Sequence, residues 1–304
     1  MVAPFDPQKM NKLPKEHRFF DINDWWYLPN QWVVKALYPL PITANQVTFV
    51  SLLMGILAAV FYVQESSESL VVGAVFLYAK IFLDNVDGNL ARSRGEVSRS
   101  GRFFDSLTDF LVVLLVYGAI AYHLVRETGD SFFWVLGFLG MISGLVHCSY
   151  FVFYLVQYTT AVGTYEKNRV NEEVTQEDLA AHAQGGLSRL VLWLQRMHQW
   201  VYGWQDRLIE KLDRLSQKVV GLGESVDEKQ SWYMDKGFIS WISPLCLCTN
   251  NMALVVFSLL GHLELCLLLV VGLGNFYMLG MVVMKTARHH SFREKKNKTF
   301  SGRG

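Results

Sequence analysis

Four aspartates stand at a spacing that could do metal chemistry: Asp84 and Asp87 are three residues apart, Asp105 and Asp109 four apart. Residues separated by three or four share a helix face, so each pair would project from one side of its own helix. Two such helices joined by a tight connector would aim four carboxylates at one volume. Acids within a membrane cost a few kcal/mol or more each and repel one another, so the cluster needs compensating charge. Two divalent cations would supply it. All-oxygen donors select hard ions such as Mg2+ or Mn2+, and a two-metal site suits phosphoryl chemistry because it clamps phosphate oxygens and stabilises the leaving group.

The residues between the pairs point to a phosphate ligand. Gly88, beside Asp87, removes a side chain where a ligand must approach the backbone, and Ala91 continues that small face. Arg92 offers a fixed fork of donors suited to phosphate, and Gly101 leaves space one turn before Asp105. Singly, the glycines could serve helix packing in a membrane and Arg92 a basic anchor. Beside four acids those readings weaken. Lys80, on the face of 84, 87 and 91, could pair with a carboxylate or bind phosphate, or simply snorkel.

The elements that must position these residues are apolar blocks. Of 304 residues, 51% are hydrophobic and 18% charged, and the apolar ones gather in six runs. The runs lie near 45–63, 70–90, 103–124, 132–157, 237–259 and 264–285. Each approaches the ~20 residues needed to cross a hydrocarbon core of about 30 Å, so we expect an all-α, polytopic membrane protein with six transmembrane helices. Asp84 and Asp87 then fall in the last turns of the second span, and Asp105 and Asp109 in the first turns of the third. Both pairs sit at one depth on one side. Lys and Arg concentrate in the N-terminal segment, the 91–102 loop, the 164–235 insert and the tail, all on that side, which predicts that both termini and the site are cytoplasmic. No cleavable signal peptide is expected, because residues 1–20 lack an apolar core. Cys148, Cys246, Cys248 and Cys266 lie in apolar runs and indicate neither a zinc site nor a disulfide framework. His123, His147 and His262 lack metal-ligand spacing.

The chain divides into an N-terminal interfacial segment (1–43), spans one to four (44–160), a cytoplasmic helical insert (161–236), spans five and six (237–286) and a basic tail (287–304). In the insert, Leu187, Leu190, Leu194, Met197, Val201, Trp204, Leu208, Leu212, Leu215, Val219 and Leu222 form a heptad seam with a stutter. It predicts a helix of about ten turns. The seam could pair with its copy in a homodimer, pack on the protein's own cytoplasmic face, or lie on lipid through Trp193, Trp200 and Trp204. Spacing leaves the three open.

The string Asp84-x-x-Asp87-Gly88-x-x-Ala91-Arg92, eight residues, Gly101-x-x-x-Asp105-x-x-x-Asp109 resembles the full signature of the CDP-alcohol phosphotransferase family at every defining position. The resemblance covers about 40–160 and 237–285, not the insert or the N-terminal segment. It implies a membrane transferase in phospholipid biosynthesis that moves a substituted phosphate from a CDP-alcohol, usually CDP-diacylglycerol, to an acceptor alcohol and releases CMP. It further implies that Asp84, Asp87, Asp105 and Asp109 hold two divalent ions, Mg2+ or Mn2+, with Asp109 also taking the acceptor's proton. Gly88, Ala91 and Arg92 would line the CDP pocket and Gly101 keep it open. The family often has Pro-Asn entering span one with Thr three residues on. Ala44-Asn45 and Thr48 stand here, so Asn45 and Thr48 would contact nucleotide or phosphate although the proline is missing. Partners would be the donor, the acceptor and membrane lipid, not nucleic acid. A soluble CDP-polyol donor is an alternative. A cation transporter is another, disfavoured by Arg92 beside the cation. Glycerol phosphate, inositol phosphate and serine all remain as acceptors, and Lys167, Arg169, Lys285 and Arg288 are candidates to bind an acceptor phosphate.

Overall fold

The computed structural model describes residues 4–64, 66–163, 172–223 and 225–301, with side chains through 289 apart from those of 23, 226 and 227. No strand occurs among them, and six helical stretches are long and apolar enough to cross a membrane. The chain is an integral, multi-pass membrane protein, as its apolar runs predicted. Lys167, Arg169 and the tail's basic side chains from Arg293 onward lie outside what is described.

Three short 3-10 turns (Pro7–Met10, Lys15–His17 and Ile22–Trp26) lead into α1, Tyr27–Leu37. This N-terminal segment docks on the second span: Trp26 is buried against Tyr78 and Phe82, while Trp25 and Trp32 face outward. The first span, α2 (Ala44–Tyr62), starts where Thr43 and Gln46 form a reciprocal capping box that satisfies two otherwise orphaned N–H groups. The second and third, α3 (Ser67–Arg94) and α4 (Arg99–Thr128), are capped by Ser66 and Ser98. Gly95, at φ +70°, ends α3 in the left-handed conformation that glycine adopts without strain. Both helices therefore run further than the apolar runs suggested. Their ends are set by Gly95 and Ser98 rather than by the arginines, which places the aspartates more than one turn inside each helix.

Close packing makes these spans one unit. A Cβ on Gly55 would lie 2.4 Å from a methyl of Val112 in α4, so α2 and α4 approach through a side-chain-free surface. The fourth span, α5 (Phe132–Ala161), meets α4 the same way: a Cβ on Gly137 would lie 2.6 Å from that of Ala121.

The insert contains α6 (Gln176–Ala183) and α7 (Arg189–Val219), a helix of 31 residues and slightly shorter than the expected ten turns. Its buried face mixes polar residues with Leu192 and Ile209, and much of its apolar seam points outward. Gln195, Gln205 and Asp213 are buried, whereas Leu190, Trp193, Trp200, Trp204, Leu208, Leu215 and Val219 from the seam and its flank are exposed. Of the seam, Leu194 and Val201 are buried.

After α8 (Val226–Tyr233), the fifth apolar run is divided into α9 (Lys236–Ile242) and α10 (Leu247–Leu260). Pro244, in the 3-10 turn between them, lacks the N–H that would continue the helix. The sixth is α11 (Leu263–Leu269), a single π turn at 270–274, and α12 (Asn275–Ser301), which carries the helix into the tail.

Candidate active site

The antiparallel arrangement of α3 and α4 brings Asp84, Asp105 and Asp109 together, one carboxylate oxygen of each lying within 4.8 Å of the others. Asp87 belongs to the same charged neighbourhood but is buried toward α2, where its Oδ2 accepts a 2.5 Å hydrogen bond from the Thr48 hydroxyl. Thr48 thus spans from the first helix to the motif, which explains its placement one turn into α2. Its other neighbour is the Ala44 carbonyl, 3.1 Å away.

Lys80 is buried at the floor of the cluster. Its Nζ donates to Asp84 Oδ1 at 2.8 Å and to Asp109 Oδ1. Lysine's flexible stem and compact charge suit a position between two carboxylates. Asp105 differs, because its Oδ1 is buried without a hydrogen-bond partner. A desolvated carboxylate oxygen of this kind is costly unless something binds it. Three converging carboxylates, one with a bare oxygen, fit a hard divalent ion.

The small residues leave room for neighbouring side chains of the protein itself. A Cβ on Gly101 would come within 3.1 Å of Asn45 Oδ1, so this glycine lets Asn45 approach the start of α4. A Cβ on Gly88 would lie 3.2 Å from Arg92 Nη1, so the guanidinium folds back over the bare backbone. Arg92 also donates from Nε to the Met10 carbonyl at 2.7 Å and from Nη2 to Asn89. It therefore locks the N-terminal segment over the end of α3, a role its sequence position did not disclose. Ala91, half-buried in the last turn, supplies the carbonyl that accepts from Glu96 N–H and closes the helix.

The basic candidates are distributed differently. Lys285 is buried among Tyr154, Trp232 and Phe238, its Nζ 4.2–4.5 Å from the three ring centroids and donating to the Trp232 carbonyl. It serves packing by cation–π contact. Arg288 faces Asp235 at 3.5 Å. Arg99 and Arg102, at the start of α4, instead hold the insert: Arg99 pairs with Glu172 and Asp178, and Arg102 with Glu172. Burial pushes the Asp178 carboxyl up, but Arg99 and the Thr175 N–H hold it well below the usual carboxylate range. Sequence reasoning also missed Lys12, Arg18 and Asn30, which line a cavity of about 410 Å³ with Asn85 and Arg92. Nothing in their local sequence marks them.

Residues 41–204 match the model of the CDP-alcohol phosphatidyltransferase family, more than half of the chain, and the protein belongs to that family. The family consists of divalent-metal-dependent transferases. Two similar proteins are an archaetidylinositol phosphate synthase from Pyrococcus horikoshii, 35% identical over 38% of this chain and 56% of its own length, and a bifunctional IPC transferase and DIPP synthase from Thermococcus kodakarensis, 31% identical over 36% and 24%. The chain thus spans about half of the first relative and a quarter of the second.

Proposed function

We propose that this protein transfers a substituted phosphate from a CDP-alcohol, of the CDP-diacylglycerol class, to the hydroxyl of an acceptor alcohol, with release of CMP. The observation that carries the reading is the convergence of Asp84, Asp105 and Asp109 around an unpartnered Asp105 oxygen, within a chain of this family. Asp84, Asp105 and Asp109, with Asp87 beside them, would hold the divalent ions, which would neutralise charge on the donor's pyrophosphate. Asn45, Thr48, Gly88, Ala91, Arg92 and Gly101 would shape the CDP pocket. Asp109 takes the proton as the acceptor oxygen bonds to the β-phosphorus of the donor, and the bond from that phosphorus to the bridging oxygen breaks, leaving with CMP. Lys80 orients Asp109 for this.

A lipid donor is favoured by the depth of the aspartates, which lie in two helices long enough to cross a membrane. The basic N-terminal segment and tail support a cytoplasmic site. The names of the two relatives support a polyol phosphate as acceptor. The test is CMP release by the purified protein with Mg2+ or Mn2+, comparing CDP-diacylglycerol with CDP-glycerol and a panel of acceptor alcohols. CMP appears with the lipid donor, stops with EDTA, and falls by at least about 100-fold in Asp109→Asn. Absence of CMP with every donor, or full activity in Asp109→Asn, overturns the reading; preference for CDP-glycerol overturns the lipid donor alone.

A further inference from the structure

Of the residues lining the cavity under the N-terminal segment, Arg92 alone has a role in the chemistry above. The cavity's position is informative, because Asn85 lines it and is the next residue after Asp84, and Lys12 lies within electrostatic reach of Asp105. It therefore opens beside the aspartates, on the face of α3 that carries 85, 89 and 92. Two walls come from residues 10–30, which precede the family-matched region.

Its lining is built for an anion that also carries hydroxyls. Lys12, Arg18 and Arg92 contribute three cations. Lys12 is exposed at the cavity's rim, where its ammonium is open to an incoming anion. Asn30 is 2% exposed and its Oδ1 is buried with no hydrogen-bond partner, an acceptor waiting for a donor. Asp21 and Asp24 add carboxylates that accept from hydroxyls. An apolar ligand would leave the buried Asn30 oxygen unsatisfied.

Resting on the transferase reading above, we propose that this cavity is the acceptor subsite and takes a phosphorylated polyol, its phosphate held by Lys12 and Arg18 and its hydroxyls by Asn30 and the two aspartates, with Arg92 on the wall it shares with the CDP pocket. The N-terminal segment then determines acceptor choice, and the family-matched helices supply the donor site.

Titration calorimetry of the full chain in detergent, without donor, tests this directly with glycerol 3-phosphate and inositol 1-phosphate against glycerol and inositol. The phosphorylated probes bind at least about 100-fold more tightly, and Lys12→Ala or Arg18→Ala weakens them by about 10-fold or more while leaving CMP affinity unchanged. Lys12→Arg, which keeps the charge, retains most of the affinity and controls for misfolding. Equal binding of polyols with and without phosphate, or no binding of either, overturns the inference. So does a Lys12→Ala variant that loses CMP instead, since the cavity then belongs to the donor. Binding of the polyol phosphate with no CMP release from any donor would leave the subsite standing and sink the transferase reading.

A second, independent observation concerns α7. Its inward face mixes buried Leu192, Leu194, Val201 and Ile209 with polar groups tied to the rest of the protein: Gln205 accepts from Ser149, Asp213 accepts from Tyr154, Trp232 and Tyr233, and Tyr202 donates to the Ser106 carbonyl. Ser149, Tyr154 and Ser106 lie on the membrane-spanning α5 and α4, and Phe110, against Tyr202, is eleven residues into α4, so the middle of α7 rides alongside the spans rather than beyond their ends. Its outward face carries Trp200 at 76% and Val219 at 71% exposure, flanked by exposed Arg207, Lys211 and Arg214. We infer that α7 lies in the bilayer interface, its tryptophan and leucine stripe in the acyl boundary and its flanking basic residues on anionic headgroups. Spin labels on Trp200→Cys, Leu208→Cys and Arg207→Cys, in vesicles of phosphatidylglycerol and phosphatidylcholine, read this out. Positions 200 and 208 collide with oxygen and position 207 with a water-soluble nickel complex. Water access at 200 and 208, or a short label-to-label distance showing a second copy on the stripe, overturns it.

Discussion

Lys80→Met isolates what holds the aspartate cluster together when no metal is bound. In the wild type, the ammonium is buried and bonded to both Asp84 and Asp109. Methionine keeps the stem and removes the charge, leaving two partly buried carboxylates facing each other and Asp105. Removing one partner of a buried ion pair costs about 3–5 kcal/mol; because Asp84 and Asp109 keep 16–17% side-chain exposure, the lower end applies. At about 2 °C per kcal/mol for a large chain, the unfolding midpoint in EDTA falls by ~6 °C. Divalent ions reverse the sign of the problem. A site occupied at 100 times its dissociation constant gains about 2.7 kcal/mol, so saturating Mg2+ returns ~5 °C to the variant. The wild type gains less, because there the ion competes with the Lys80 charge. The assay is thermal unfolding in detergent, with and without Mg2+, read by tryptophan fluorescence. A midpoint unchanged in EDTA, or an equal Mg2+ response in both proteins, would refute the view that Lys80 and the metal neutralise the same carboxylates.

Other consequences are more local. Thr48→Val is nearly isosteric but strips the 2.5 Å hydrogen bond from buried Asp87, costing about 1.5–3 kcal/mol of stability in chemical unfolding and weakening CMP binding measured by calorimetry. Gly55→Ala forces a methyl to 2.4 Å from Val112 and lowers stability by about 1–3 kcal/mol through separation of α2 from α4, seen as a lower thermal midpoint. Asp178→Asn removes the Arg99 ion pair. Since the folded pKa of Asp178 is the depressed one, its contribution is full above about pH 4 and is lost as pH falls through the folded value. The midpoint difference between wild type and Asp178→Asn therefore stays constant from pH 7 down to about 4 and shrinks below it.

Much of the site was legible because its information is local. Asp84, Asp87, Asp105 and Asp109 repeat at helical spacing, Gly88 and Gly101 are small where a Cβ would crowd Arg92 and Asn45, and apolar runs of spanning length announce the helices that carry them. Spacing and composition determined that α3 and α4 would be helices and that their acids would face one volume. They did not determine which acids converge, because Asp87 is drawn toward Thr48, 39 residues earlier, by a contact that only packing creates. Asn30 carries no pattern, Lys12 is one base among several in the N-terminal segment, and they reach the cavity in a segment that Arg92 ties over α3 through the Met10 carbonyl. The seam of α7 shows the same division most plainly. Its period declared an amphipathic helix, but the direction of that helix depends on which surroundings are apolar, and beside a membrane span the polar side turns inward to Ser149 and Tyr154 while the tryptophans turn out.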